Sequence, residues 1–201
     1  LDQLSMLMVN PATAHLLLTD FVDLEPGDWV IQSAANSAVG GYLVQLAKER
    51  GFNMVNVVRR ESAIEGLKEL GADIVLVDGP DLVRDVKAAA GAKMKLAVDA
   101  VAGDTFGRLG ACLETGGTLV NYGGMSNQPC SMEASALIFH DIYVRGFWLV
   151  NWFERSDGAM RKEVYGALTK SIATGTLYAP IDKHFTLDEI AEAAKYSWAG
   201  E

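Results

Sequence analysis

The sequence predicts an α/β fold, a doubly wound sheet of six parallel strands with helices on both faces. Three observations predict it. Short apolar runs alternate with longer stretches of helical period. Cap and turn residues punctuate them at regular intervals. The short runs are mostly apolar, as expected of strands buried on both sides by crossover helices.

Asn10-Pro11 opens the first helix. Asn10 is a good cap and Pro11 suits a first turn that has no use for its missing N–H. This helix is expected to run to about Phe21, and Glu25-Pro26-Gly27-Asp28 turns the chain into a buried strand, Trp29 to Ser33. Ala38 to Arg50 is helical, with Val39, Leu43, Leu46 and Ala47 on one face and Gly51 closing it. Asn53 to Val58 is the second strand. Ser62 and Glu65 form an expected capping box for a helix ending at Leu70, and Gly71 stops it. Ile74 to Val77 is the third strand, Leu82 to Ala90 a helix ended by Gly91, and Leu96 to Asp99 the fourth strand. Thr105 to Leu113 is a helix and Thr118 to Tyr122 the fifth strand. A short helix near Glu133 to Phe139 precedes the sixth strand, expected over Ile142 to Val150. A long helix follows, Gly158 to Thr174, and Thr186 with Glu189 caps a last helix to about Ser197.

Composition narrows the function. The formal charge of −9 argues against a general nucleic-acid binder, which needs a basic face. No apolar run is long enough to span a membrane. Cys112 and Cys130 form no metal or redox pair, and His15, His140 and His184 show no zinc spacing, so no metal site is expected in this chain. The chain starts at Leu1 without a basic-then-apolar leader and reads as a piece of a longer protein.

The turn after the first strand is Ala34-Ala35-Asn36-Ser37-Ala38-Val39-Gly40. In a Rossmann-type fold this turn meets a pyrophosphate at a helix N-terminus, and glycines let the backbone approach. Here only Gly40 is glycine, so the GxGxxG pattern fails. Small Ala and Ser side chains still permit approach, and Asn36 and Ser37 add hydrogen-bonding groups. Taken by itself, the turn suits an ordinary Ser- or Asn-capped helix equally well. The second strand adds the discriminating signal. Arg59 lies 19 residues after Gly40, with Arg60 behind it. An acid there would read the 2′-hydroxyl of NAD, and an arginine favours the 2′-phosphate of NADP. A guanidinium fork on that phosphate supplies about one to two orders of magnitude of preference.

The stretches "NPATAHLLLTDFVDLEPGDWVIQSAANSAVG", "NVVRR", "DAVAG", "LVNYGGMSNQP" and "LIFHDIYVRGFWL" together resemble the medium-chain dehydrogenase/reductase superfamily. Within it they are most similar to trans-2-enoyl-thioester reductases of the mitochondrial type and their bacterial relatives. The resemblance runs from about Leu4 to Ser197 and implies an NADPH-dependent oxidoreductase of fatty acid metabolism. It places Asn10 near the nicotinamide. Asn36, Ser37, Ala38, Val39 and Gly40 would hold the pyrophosphate, and Arg59, Arg60 and Glu61 the adenosine 2′-phosphate. Tyr122, Gly123, Gly124 and Met125 would line the nicotinamide side, together with Phe147, Trp148 and Leu149 on the sixth strand.

The resemblance also implies a separate barrel-like (GroES-like) domain carrying the proton-donating tyrosine. That domain is not in this sequence, so no catalytic residue is assigned here, and Tyr122 matches a cofactor contact instead. Residues 1–185 are expected to form the NADPH-binding domain and residues 186–201 a helix leading towards the missing domain. The isolated domain is expected to bind NADPH without turnover. The substrate would be an acyl thioester, bound through the missing domain. The alternatives are an NADPH-dependent quinone or enone reductase, a zinc alcohol dehydrogenase, and a non-catalytic NADPH-binding module. A bare apolar sixth strand at the sheet edge predicts a homodimer that continues the sheet. The compartment would be a bacterial cytoplasm or a mitochondrial matrix.

Overall fold

A computed structural model of the chain describes residues 2–199. Leu1 and the last two positions of the segment 186–201 lie outside the described residues. Among the described residues six strands form one sheet: β1 (Trp29–Gln32), β2 (Asn53–Val58), β3 (Ile74–Val77), β4 (Met94–Asp99), β5 (Leu113–Asn121) and β6 (Tyr143–Gly146). Their order is β3-β2-β1-β4-β5-β6, and every neighbouring pair is parallel. The chain runs outward from β1 in one direction and then from β4 in the other, so the switch falls between β1 and β4. The helices are α1 (Asp2–Ser5), α2 (Asn10–Leu17), α3 (Ala38–Arg50), α4 (Ile64–Glu69), α5 (Leu82–Ala90), α6 (Gly103–Ala111), α7 (Ala134–His140), α8 (Leu149–Arg155), α9 (Gly158–Ala173) and α10 (Ile190–Ala199).

The strands alternate strictly between two cores. Val30, Leu96, Val98 and Val120 face one side, where α2, α3, α4 and α9 deliver Leu16, Leu17, Leu43, Leu46, Leu67 and Leu168. Ile31, Ala97 and Leu119 face the other, where α5 and α6 deliver Leu82, Val86, Phe106 and Leu109. Residues i and i+1 of one strand thus fill different cores, which is why the runs are mostly apolar, with the buried Gln32 and Asn56 as exceptions. After α9 the chain is tied back by two glutamines that mimic strand partners. Gln45 exchanges two bonds with the backbone of Tyr178, at 2.9 and 2.9 Å. Gln3 does the same with Ala179, at 2.9 and 2.7 Å.

Several expected boundaries move. The first helix ends at Leu17 rather than Phe21, and Asn10 is its first residue rather than its cap, since Val9 holds that position without a side-chain bond. The Ser62–Glu65 capping box is not formed. A 3-10 turn over Glu61–Ala63 runs straight into α4, so Ser62 lies inside the helical path and has no free first-turn N–H to accept from. The Thr186–Glu189 box does form. Strands β4 and β5 begin earlier than expected, at Met94 and Leu113, because Met94 pairs with Leu113 across an irregular ladder before the regular register resumes at Leu96 and Thr118. The short helix α7 starts one residue later than expected, at Ala134, with Glu133 at its cap position.

The largest correction is β6. It stops at Gly146, because its partner β5 ends at Asn121 and offers only one more carbonyl, which accepts from Phe147 N at 2.9 Å. Leu149, Trp152 and Phe153 then recur at helical spacing and turn their apolar side onto the first core as α8. Phe147, Trp148 and Leu149 therefore follow the strand instead of lying on it.

One part-buried pair gives the fold an acid sensitivity. Arg50 Nη2 lies 2.6 Å from His15 Nδ1. The guanidinium can only donate, so Nδ1 must be unprotonated. Burial, and after it the Arg50 charge, lower the His15 pKa from 6.5 to about 4. Below pH 6.5 the unfolded chain takes up a proton that the folded chain refuses, so stability is full above that value and falls as the pH drops towards 4. The expected slope is about 1 kcal/mol per pH unit over that window. Thermal melts of His15→Gln should be flatter than wild type between those pH values and parallel to it above pH 7.

Candidate nucleotide-binding site

The carboxyl ends of β1, β2, β4 and β5 meet at the switch point, and backbone bonds stitch their loops together. Ala35 N donates to Val57 O at 3.1 Å, which sets the turn after β1 beside the end of β2. Ser33 N donates to Val98 O at 3.1 Å, Tyr122 N to Asp99 O at 2.8 Å and Met125 N to Ala100 O at 3.0 Å. The fully buried Asp99 organises this edge. Its carboxylate accepts from Ser33 Oγ at 2.6 Å, Val101 N at 3.0 Å, Ala102 N at 2.8 Å and Asn121 Nδ2 at 3.0 Å. A buried carboxylate is tolerated only when it is bonded in this way.

Ser37 caps α3, its Oγ accepting from Gly40 N at 3.1 Å. Gly41 N donates to Ser37 O at 2.9 Å. The N–H groups of Ala38 and Val39 donate to no described residue and point out of the first turn. A Cβ on Gly40 would stand 2.3 Å from the Ala35 carbonyl oxygen, so only glycine lets the helix sit this close to the turn. On the far wall a Cβ on Gly123 would stand 2.9 Å from Ala100 O. The turn achieves its left-handed corner with Ala34, at φ 47°, where glycine is the usual occupant. This is how a glycine-poor sequence still closes the turn.

Arg59 and Arg60 follow β2 directly. Both are exposed and neither forms an ion pair among the described residues. Glu61 opens the 3-10 turn behind them. Asp78 stands at the end of the neighbouring strand β3, and its N–H donates to Val58 O at 2.8 Å. Its carboxylate is held by Arg108 at 2.7 and 2.8 Å and by Thr105. Burial would raise the Asp78 pKa, but the bonds from Arg108 and Thr105 outweigh it and the group stays below its ordinary value. Its charge is thus already matched and leaves the arginine pair free for an incoming anion.

The Tyr122 hydroxyl is buried beside Ser37 without a well-formed hydrogen bond. Burial pushes its pKa up to about 12, so it stays protonated and is a donor. Gly124 and Met125 are exposed at the rim, Phe147 is buried against Phe21 edge-on at 6.0 Å, and Trp148 stands out into solvent. Leu149 packs on the first core. Asn10 is half-buried at the head of α2, and no hydrogen bond links its side chain to the loops. The expected residues thus fall into a tight group around the turn and Tyr122, an arginine group on one side, and a looser set after β6 on the other. Gln32, Asn56, Ser33 and Asn121 support the group from within and were not singled out by sequence. Their one signal is a polar side chain inside an otherwise apolar strand or at its end.

Open N–H donors, small walls and unpaired arginines fit a dinucleotide with an extra phosphate. Among the described residues no three His, Cys, Asp or Glu side chains cluster to hold an ion.

The loop after β4 holds strain. Ala102 sits at φ 65° and ψ −156°, a region that glycine alone occupies readily. Ala102→Gly is expected to stabilise the protein by about 1 kcal/mol net of the added unfolded-state entropy, raising Tm by about 2–4 °C. A Tm equal to or below wild type in a thermal melt would contradict this.

A doubly wound sheet with an open cradle at its switch point defines a dinucleotide-binding domain of the dehydrogenase type. The model of the zinc-binding dehydrogenase family matches residues 38–164, and the chain belongs to this family, within the medium-chain dehydrogenase/reductases. The mitochondrial enoyl-[acyl-carrier-protein] reductase of Dictyostelium discoideum is 42% identical over 194 residues, covering 91% of this chain and 54% of that protein. Among solved structures, the mitochondrial 2-enoyl thioester reductase Etr1p/Etr2p heterodimer from Candida tropicalis superposes with a TM-score of 0.85 at 27% identity, over 100% of this chain and 60% of that one. A complex of Etr1p with NADP and crotonyl-CoA does so with a TM-score of 0.84 at 27% identity, over 96% of this chain and 59% of that one. The chain spans about half the length of the curated relatives it matches.

Proposed function

We propose that this chain is the NADPH-binding part of an oxidoreductase that reduces the C=C bond of 2-enoyl thioesters. The observation that carries the cofactor reading is the free Arg59–Arg60 pair at the end of β2, set beside the open first turn of α3. The thioester reading rests on likeness to reductases of that class, one of them solved with NADP and crotonyl-CoA.

NADPH, when bound, supplies hydride to the β-carbon of the enoyl thioester. The chain's own residues bind and orient. Ala38 and Val39 offer N–H groups to the pyrophosphate, with Ser37 and Asn36 beside them. Arg59 and Arg60, flanked by Glu61, receive the adenosine 2′-phosphate. Tyr122 donates its hydroxyl within the cradle, and Gly123, Gly124 and Met125 form the wall leading to the nicotinamide. Asn10, Phe147, Trp148 and Leu149 complete that end.

Proton delivery belongs to residues outside this sequence, so the chain alone is expected to bind NADPH without turnover. The segment 186–201 would lead to that further domain. The relatives are named as mitochondrial, and a mitochondrial matrix is the compartment proposed for this chain. The test is NADPH consumption by the full-length protein with crotonyl-CoA against a quinone. Turnover of the thioester alone supports the proposal, and turnover of the quinone alone sinks it.

Every residue of β6 is exposed along the open edge of the sheet, Tyr143 and Val144 among them, and Leu137, Ile138 and Phe139 of α7, which precedes it in the chain, are exposed as well. An edge of this kind pairs with another strand. The second copy of the chain is the proposed partner, giving a homodimer with a continuous sheet. A monomer that persists at high concentration in gel filtration would rule this out.

A further inference from the structure

A polar ladder crosses the apolar interior directly behind the phosphate turn. Gln32 on β1 and Asn56 on β2 are register partners, and both are completely buried. Gln32 Nε2 donates to Asn56 Oδ1 at 2.7 Å and to the Gly40 carbonyl at 3.1 Å. Asn56 Nδ2 donates to the Ile74 carbonyl on β3 at 3.0 Å. The line therefore runs from the β3 backbone through two carboxamides to the first turn of α3. It also fixes the amide orientation, because the Gly40 carbonyl, Asn56 Oδ1 and the Met54 sulfur, 3.5 Å away, can only accept, so the Gln32 nitrogen must face them.

Packing does not account for this ladder. Two carboxamides are buried where apolar side chains of similar volume would fit, and Gln32 Oε1 is left with no partner at all. Such burial costs free energy. What the ladder secures is Gly40. Ser37 Oγ holds Gly40 N from the solvent side at 3.1 Å, and Gln32 holds Gly40 O from the core side. The glycine that must lie against Ala35 is gripped at both ends, and the Ala38 and Val39 N–H groups take their direction from it.

The geometry points to Gln32 as a positioning residue for the pyrophosphate of the cofactor, acting through Gly40, with Asn56 orienting its amide. This rests on the reading that the cradle binds NADP(H). Gln32 touches no ligand. It sets where the donors of the turn stand, and it has no bearing on the arginine pair that takes the 2′-phosphate.

The test compares two ligands by calorimetric titration. NADP+ uses both ends of the cradle, whereas 2′-AMP carries the adenosine 2′-phosphate and no pyrophosphate. Gln32→Met keeps length and removes the amide. Because it strands Asn56 Oδ1, the double variant Gln32→Met/Asn56→Leu is measured beside it, removing both partners together. Leu109→Ala, in the core on the opposite face of the sheet, controls for loss of stability alone. Both ladder variants should bind NADP+ about tenfold more weakly, the worth of one buried hydrogen bond, and 2′-AMP within about twofold of wild type. Leu109→Ala should bind both ligands as wild type does. A folded ladder variant with wild-type NADP+ affinity overturns the assignment, and so does a parallel loss of both ligands. If the single variant does not fold, the double variant decides. A wild-type protein that binds neither ligand overturns the cofactor reading and this inference with it, whereas wild-type binding with unaffected variants overturns only the inference.

Discussion

Replacing Arg59 and Arg60 together by alanine is expected to erase the preference for NADPH over NADH. NADPH should bind about one to two orders of magnitude more weakly, and NADH almost as before. The reasoning is local. Both side chains are exposed and unpaired at the end of β2, next to the turn whose Ala35 N bonds to Val57 O. Asp78, the acid at the neighbouring strand end, is matched by Arg108 and does not compete for them. Since the pair makes no internal bond, its removal should leave Tm unchanged, so lost affinity reports the ligand and not the fold. The preference should also shrink as salt is raised, because the site is open to solvent. Equal weakening of NADPH and NADH would place the arginines elsewhere than on the 2′-phosphate.

Gly40→Ala should be at least as severe by a different route. The added methyl would stand 2.3 Å from the Ala35 carbonyl oxygen; it is fixed directly to the backbone, and the oxygen is part of the backbone. Neither can swing aside as a side chain would. The start of α3 must lift from the turn, breaking the Ser37–Gly40 and Gln32–Gly40 bonds together. A loss of about 1–3 kcal/mol in stability is expected from the overpacking, with NADP(H) affinity falling about a hundredfold or more because the donors are displaced. Gly41→Ala is the matched control, since its Cβ would meet only the Leu70 side chain at 3.5 Å, an ordinary contact. Denaturant unfolding and titration of the two variants separate the outcomes. A Gly40→Ala protein with wild-type affinity would mean that the turn is not the phosphate site.

The sheet was legible in the sequence because its cause is regular. Apolar runs such as Asn53–Val58 and Ile74–Val77, punctuated by Gly51, Gly71 and Gly91, leave little choice of element. The errors fall where an element depends on a partner far away in the chain. Phe147 to Val150 reads as strand by composition, but β5 runs out at Asn121 and the residues go to helix. Met94 reads as loop because its pairing with Leu113 lies across an irregular ladder. Ser62 looks like a cap, yet the 3-10 turn from Glu61 pre-empts it.

The site divides along the same line. Arg59 was visible through its spacing from Gly40, a local count. The ladder under the turn was not, because Gln32 and Asn56 acquire meaning only when β1 and β2 are laid side by side in register. The positive φ of Ala34 and Ala102 was equally hidden, since alanine gives no hint of a left-handed backbone.

The most direct measurement is a calorimetric titration of the wild-type protein with NADPH and with NADH. Binding of NADPH at least about tenfold tighter than NADH is the result this account predicts. Binding of NADH as tight as NADPH, or no binding of either, would contradict it.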